Sequence, residues 1–288
     1  MRVYDDYDQA GLDAQYDNRR KVPEAGAIAE RWMAAGAEAR NQLSCDLDLA
    51  YGEHARQAVD VFPAARGDAP ILAFVHGGYW HSRDRTLGHF LAPTYVAAGV
   101  TMVAIGYRLC PEVTVAGIAD DVRAALRWVH ARAGTLGGDP ARLFVAGHSA
   151  GGHLAALMAG PAGVPELLKG ACSVSGLHDL EPIRLSYLNA TLGLRPEDVP
   201  PLSPTALARR LVPGERRLPP LIATVGMDEG PEYLRQRAEL VAALKAARQP
   251  VESVDVPGGN HFTALAALGD PHHGLCQAML RLILAPSF

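Results

Sequence analysis

From Asp46 onward the chain alternates short apolar runs with longer stretches whose apolar positions fall at helical spacing. The runs at 58–62, 70–76, 100–105, 143–146, 170–174, 221–225 and 251–256 predict strands. Several are apolar without interruption, as strands covered on both faces must be. Helical spacing predicts helices over 86–98, 118–133, 151–159, 231–247 and 262–284. Strands alternating with helices imply an α/β fold, a mostly parallel sheet with helices on both faces.

Two segments break the rhythm. In the first, residues 1–43, Tyr4, Tyr7 and Tyr16 stand among acids and amides. Pro23 then suits a first helical turn, and Ile28, Trp32, Ala35 and Ala39 recur at helical spacing. This predicts an arm and one helix packed on a main domain spanning 44–288. The second, near 179–220, is rich in proline and leucine and shows no strand pattern. It is expected to form a lid or pocket wall, since such connections often carry binding residues.

The strongest chemical signal is Gly147-His-Ser149-Ala150-Gly151, between an apolar strand and a helix. A serine on a sharp strand-to-helix turn is exposed at the top of the sheet, and flanking glycines relieve the crowding. Ser149 is therefore the expected nucleophile. A serine hydroxyl needs a base to take its proton. In a fold with this strand–turn–serine, the chain order is serine, acid, histidine. His261, after the last predicted strand and the glycines 258–259, is the expected base. Asp228, at the end of the preceding strand, is the expected acid, with Glu229 its nearest competitor and Asp255 and Asp179 further alternatives. Of the other histidines, His153 reads as packed or capping, and His272 and His273 as surface residues.

An earlier glycine pair, in His76-Gly77-Gly78-Tyr79-Trp80, follows an apolar strand. Backbone amides that stabilise an oxyanion need close approach of the main chain, which glycine permits. Gly77, Gly78 and the amide of Ala150 are the expected donors. Tyr79 and Trp80 either wall a pocket for an aromatic substrate or pack against the sheet. The arm tyrosines either close over that pocket or belong to a loosely held terminus.

With these residues in place, the chain resembles the α/β-hydrolase superfamily over roughly 51–288. HGGYW at 76–80 and SGLHDLEP at 175–182 resemble the kynurenine formamidases, or arylformamidases. GYRLCPE at 106–112 resembles the YRLAPE run of hormone-sensitive-lipase-like esterases, with Cys110 in place of alanine. The resemblance implies hydrolysis of a small ester or aryl amide through an acyl-enzyme, N-formyl aryl amides included. A general short-chain carboxylesterase is the alternative within the same mechanism. A catalytically silent binding protein on the same scaffold is disfavoured by the intact motifs.

Composition narrows the partners. The 31 acidic and 27 basic residues leave a net charge of −4 without a basic stripe, so no nucleic-acid partner is expected. No apolar run approaches a membrane span of about 20 residues. The N-terminus lacks the apolar stretch of a secretory signal. Cys45, Cys110, Cys172 and Cys276 form no metal spacing and no disulfide pattern. A cytoplasmic protein with a small-molecule substrate, no cofactor and no metal is expected; its assembly is open, a homodimer included.

Overall fold

Alternation within the strands decides how the two faces of the sheet are covered. In the computed structural model, which describes residues 1–285, Ile71, Ala73 and Val75 face one apolar cluster while Leu72 and Phe74 face another. A strand presents successive side chains to opposite faces, so an uninterrupted apolar run serves two layers at once. The last three residues of the region read as 44–288 lie outside the described residues.

The chain begins with three helices, α1 (Gln9–Tyr16), α2 (Asn18–Lys21) and α3 (Ala25–Gln42). Strands β1 (Asp46–Ala50), β2 (Ala58–Phe62) and β3 (Ala69–Val75) follow. A 3₁₀ turn at Arg85–Leu91 leads to α4 (Ala92–Ala97), β4 (Thr101–Ile105), α5 (Val115–Arg132), β5 (Gly138–His148), α6 (Ala150–Ala159) and β6 (Leu168–Val174). The proline-rich stretch forms four short helices: α7 (Glu181–Leu185), α8 (Asn189–Leu192), α9 (Val199–Leu202) and α10 (Pro204–Ala208). The chain continues through β7 (Leu221–Gly226), α11 (Pro231–Ala246), β8 (Val251–Val256), α12 (Thr263–Gly269) and α13 (Gly274–Leu284).

Among the described residues the strands form one eight-stranded sheet, ordered β1-β2-β4-β3-β5-β6-β7-β8. The β1–β2 and β2–β4 pairs are antiparallel and the remainder parallel. Residues of α5, α6 and α11 cover one face, and residues of α3, α4, α12 and α13 the other. The arm joins the layers. Leu12 and Tyr16 of α1 pack in the first cluster, Ile28 and Trp32 of α3 in the second.

The arm holds two helices, α1 and α2, beyond the one expected, the helix expected over 86–98 begins as a 3₁₀ turn, and three other elements depart from the sequence expectation. β1 is an exposed edge strand, DLDLA, whose acids give no apolar signal; charge on an edge discourages pairing with another chain. β5 starts at Gly138 rather than Leu143, because its first half is half-exposed and polar. The helix expected over 262–284 is two, α12 and α13, parted at Asp270-Pro271, since proline disfavours a helical conformation in the residue before it. No helix among the described residues is long and apolar enough to cross a membrane.

Candidate active site

Ser149 sits between β5 and α6 with φ 57° and ψ −120°, a conformation rare for a residue with a side chain. Its N–H donates to the carbonyl of Val174 at 2.8 Å, which ties the turn to β6. The surrounding glycines are required by contact. A Cβ on Gly147 would lie 2.1 Å from the carbonyl oxygen of Gly151, and one on Gly151 would lie 2.0 Å from that of Val75. Backbone atoms in a sheet cannot move aside as a flexible side chain would. Gly151→Ala is therefore expected to cost about 3 kcal/mol or more. For a chain of this size that lowers Tm by roughly 5 °C or more, measurable by thermal denaturation.

The loops after β7 and β8 meet beside this turn. A Cβ on Gly226 would lie 2.3 Å from the carbonyl oxygen of Gly259, and the Asp228 N–H donates to that same carbonyl at 2.9 Å. The contact brings His261 and Glu229 together: His261 Nδ1 lies 2.7 Å from Glu229 Oε2. Both are buried, at 5% and 2% exposure. The other carboxylate oxygen of Glu229 accepts from the Gly226 N–H at 2.6 Å and from the Ser175 hydroxyl. A buried carboxylate so fully bonded is held in place.

The carboxylate set against His261 is thus Glu229, not the expected Asp228. Asp228 is exposed, and only its backbone N–H takes part in joining the loops. The turn closed by the Glu229 N–H on the Gly226 carbonyl, at 3.1 Å, sends Asp228 outward and folds Glu229 back over the strand end. Glu229 was visible in the sequence as the adjacent competitor. Ser175, with φ 53°, was visible only within the run of residues 175–182.

Gly77 and Gly78 lie opposite Ser149. A Cβ on Gly77 would come within 2.8 Å of the His148 carbonyl oxygen and 3.0 Å of Ser149 Cβ, and Gly78 has φ 117°. Among the described residues, the backbone hydrogen bonds outside helices and strands include none donated by Gly77, Gly78 or Ala150. His148, adjacent to the serine, has its ring 4.7 Å from that of His261 and its Nε2 2.8 Å from the His261 carbonyl oxygen. Burial and the neighbouring His261 charge push the His148 pKa well below the usual imidazole range. A carbonyl oxygen can only accept, so His148 Nε2 carries a proton and donates to it.

Ser149, His148, His261, Gly77 and Gly78 all line one cavity of about 440 Å³ at the carboxyl ends of the strands. Such volumes hold small organic molecules. Tyr79 lines it as well, with its hydroxyl fixed by the arm and α11. It donates to the Tyr16 carbonyl at 2.7 Å, accepts from Asn18 Nδ2 at 2.9 Å and lies 2.8 Å from the Tyr233 hydroxyl. Trp80 does not reach the cavity. It is fully buried in the core, edge-on to the His153 ring at 5.1 Å. The left-handed run Gly78, Tyr79, Trp80 turns these neighbours to different sides. Trp32 of α3 and Phe262 supply the aromatic wall instead, with Tyr187 from the proline-rich stretch.

The arm is part of the site through Tyr16, Asp17, Asn18 and Arg19, all of which line the cavity. Its tyrosines serve as anchors more than as a lid: the Tyr4 hydroxyl donates to Asp179 and that of Tyr16 to Glu232, each at 3.0 Å. His153 is buried with Nε2 2.7 Å from the Leu202 carbonyl oxygen, and His272 is exposed. Among the described residues no group of three His, Cys, Asp or Glu side chains is arranged to hold a metal ion.

Residues 59–176 match the family model described as BD-FAE. A kynurenine formamidase of Danio rerio is 30% identical over 284 residues, covering 94% of this chain and 95% of that protein. Carboxylesterase NlhH of Mycobacterium tuberculosis is 42% identical over 98 residues, 34% of this chain and 31% of that protein. Among solved structures, a candidate thioesterase from Silicibacter sp. tm1040 aligns with a TM-score of 0.82 and 28% identity, over 95% of this chain and 99% of that one. With a formamidase matched over nearly its whole length on the sheet and turn described above, the chain is a hydrolase of the α/β-hydrolase fold and belongs to the kynurenine formamidase family.

Proposed function

We propose that the protein is a serine hydrolase that cleaves a small acyl group, formyl included, from an aryl amine through an acyl-enzyme on Ser149. One observation carries the reading: His261, paired with Glu229, and the strained Ser149 turn line one cavity together with Gly77 and Gly78. Because His261 Nδ1 faces Glu229, Nε2 is the ring nitrogen left for the serine. Nε2 takes the hydroxyl proton as Oγ attacks the carbonyl carbon. The oxyanion then draws on the N–H groups of Ala150 and the glycine loop. As the tetrahedral intermediate collapses, the same proton passes to the leaving nitrogen, since an anilide anion is too poor a leaving group to depart unprotonated. Water, activated by His261, releases the acid and restores Ser149. Glu229 holds the His261 tautomer and stabilises the imidazolium.

The kynurenine formamidase relationship and the aromatic wall of Trp32, Phe262 and Tyr79 support an aryl leaving group. The segment shared with carboxylesterase NlhH supports a second reading, a short-chain carboxylesterase using the same residues. Comparing kcat/KM for N-formylkynurenine, a matched N-acetyl anilide, p-nitrophenyl acetate and p-nitrophenyl butyrate separates them. The first reading expects formamide cleavage well above that of the acetyl anilide. Rapid ester hydrolysis without formamide cleavage would select the carboxylesterase. The protein is read as cytoplasmic on its free thiols, of which Cys110, Cys172 and Cys276 are buried.

A further inference from the structure

The arm also reaches the acid itself. Lys21 ends α2, and its ammonium donates to the backbone carbonyl of Glu229 at 3.0 Å and to that of Gln15. A lysine on the surface ordinarily leaves its charged head in water. Lys21 turns inward instead: the residue is exposed, yet Nζ sits on two carbonyls, 5.7 Å from the centroid of the buried Tyr233 ring. Burial lowers its pKa, against the pull of Glu229, Asp17 and Glu232. The Glu229 carbonyl stands where the turn after β7 becomes α11. Gly230 has φ 105° there, and Pro231 opens the helix without an N–H. Among the described residues the hydrogen bond on that oxygen comes from Lys21. Glycine at 230 leaves room for it, since a Cβ would crowd Lys21 Nζ at 3.3 Å. The same arm helix also meets the base. Asn18, its first residue, donates to the Tyr233 hydroxyl at 2.7 Å, and the Tyr233 ring lies 4.8 Å from that of His261.

We propose that Lys21 is a positioning residue for the Glu229–His261 pair: from the arm it fixes the main chain of Glu229, and through it the carboxylate on His261 Nδ1. The proposal rests on the serine-hydrolase reading above. Gly226 and Ser175 hold the Glu229 carboxylate from one side, and Lys21 holds the carbonyl of the same residue. A glutamate reaches the imidazole through one methylene more than an aspartate, so the place of its main chain decides where the carboxylate ends. With the carbonyl released, the turn between a glycine of positive φ and a proline has one restraint fewer. The carboxylate then holds the imidazole less firmly, and a misplacement of about 1 Å at a catalytic group costs up to about 100-fold in rate. Lys21 stands outside the cavity lining, so its loss acts on kcat and leaves KM in place. The arm thereby takes part in the chemistry as well as in packing.

The test is a cycle of four proteins: unaltered, Lys21→Met, Glu229→Gln and the double variant. Two rates are read, steady-state hydrolysis of p-nitrophenyl acetate and phosphonylation by a fluorophosphonate probe followed by intact mass. Lys21→Met is expected to lower kcat and the phosphonylation rate by about tenfold, with KM unchanged within about twofold. In the Glu229→Gln background the same substitution changes the phosphonylation rate by no more than about twofold, because the group through which Lys21 acts is already gone. A purely structural lysine gives a different pattern. Its loss lowers the amount of folded protein in both backgrounds alike, so the two effects are equal. Equal effects in the two backgrounds, a fall confined to KM, or a Lys21→Met protein as fast as the unaltered one overturns the proposal. Failure of the serine reading is seen separately, as labelling of Ser149→Ala at the original rate.

Discussion

Ser149→Ala is expected to lower kcat/KM by on the order of 10⁴-fold or more while leaving the protein folded. The size follows from the work assigned to one atom. Without Oγ there is no acyl-enzyme, and only the oxyanion donors and binding contacts remain to assist attack by water. His261→Ala should cost nearly as much, because the serine and its base act as a unit and their losses do not add. The fold should survive, since the turn is held by backbone contacts that alanine preserves. These are the Ser149 N–H to Val174, the His153 N–H to the Ser149 carbonyl, and the close packing of Gly147 on Gly151. Alanine inherits the strained φ of 57°. Glycine would not, so Ser149→Gly should be equally inactive yet no less stable. A fluorophosphonate probe read by intact mass checks the assignment directly. Labelling that persists at the original rate in Ser149→Ala would move the nucleophile elsewhere.

The parts of the molecule legible in the sequence are those where local pattern and tertiary role coincide. β2, β3, β4, β6 and β7 were readable from their apolar runs and β8 from valines set among polar residues; β2 and β8 match their expected bounds and β3 is displaced by one residue. The turn at Ser149 was readable because its glycines answer a steric demand that shows in residue type alone. β1 was not, because an exposed edge strand has no buried face to write into its sequence. Trp80 and Tyr79 could not be told apart. Their sides are set by three successive left-handed residues, and only Gly78 among them announces that conformation by its identity. Trp32 was readable as part of a helical stripe, but its place on the cavity depends on its contacts with Phe90 and Phe262, ring centroids 5.3 and 6.3 Å away, which are remote in sequence. The arm was recognisably different, yet its anchors join residues far apart in the chain, Tyr4 to Asp179 and Tyr16 to Glu232. Pairings of that range leave no local trace.

The acid shows the same limit most sharply, and its test separates two neighbours. Chain order identifies the loop after β7, but two adjacent carboxylates occupy it, and the turn between Gly226 and Glu229 decides which faces inward. Glu229→Gln is expected to lower kcat by on the order of 10⁴-fold, while Asp228→Asn stays within about twofold. The reason lies in the hydrogen bonds around Glu229. One side chain oxygen accepts from the fixed Gly226 N–H and from Ser175, whose hydroxyl can rotate; the other faces His261 Nδ1. A glutamine must place its NH₂ on one side. Towards Gly226 it sets donor against donor, leaving a buried N–H unpaired at a cost of about 1–3 kcal/mol. Towards His261 it avoids that cost, provided the imidazole moves its proton from Nδ1 to Nε2. The second arrangement wins, and it puts a hydrogen on the nitrogen that should receive the serine's proton. Glu229→Gln should therefore fold to within about 1 kcal/mol of the original protein and react slowly with the fluorophosphonate probe. Asp228 is exposed, and its contribution to the loop is a backbone N–H that asparagine keeps. Parallel kcat and thermal-denaturation measurements on the two variants decide the matter. An inactive Asp228→Asn beside an active Glu229→Gln would reverse the assignment and require the loop to rearrange around bound substrate.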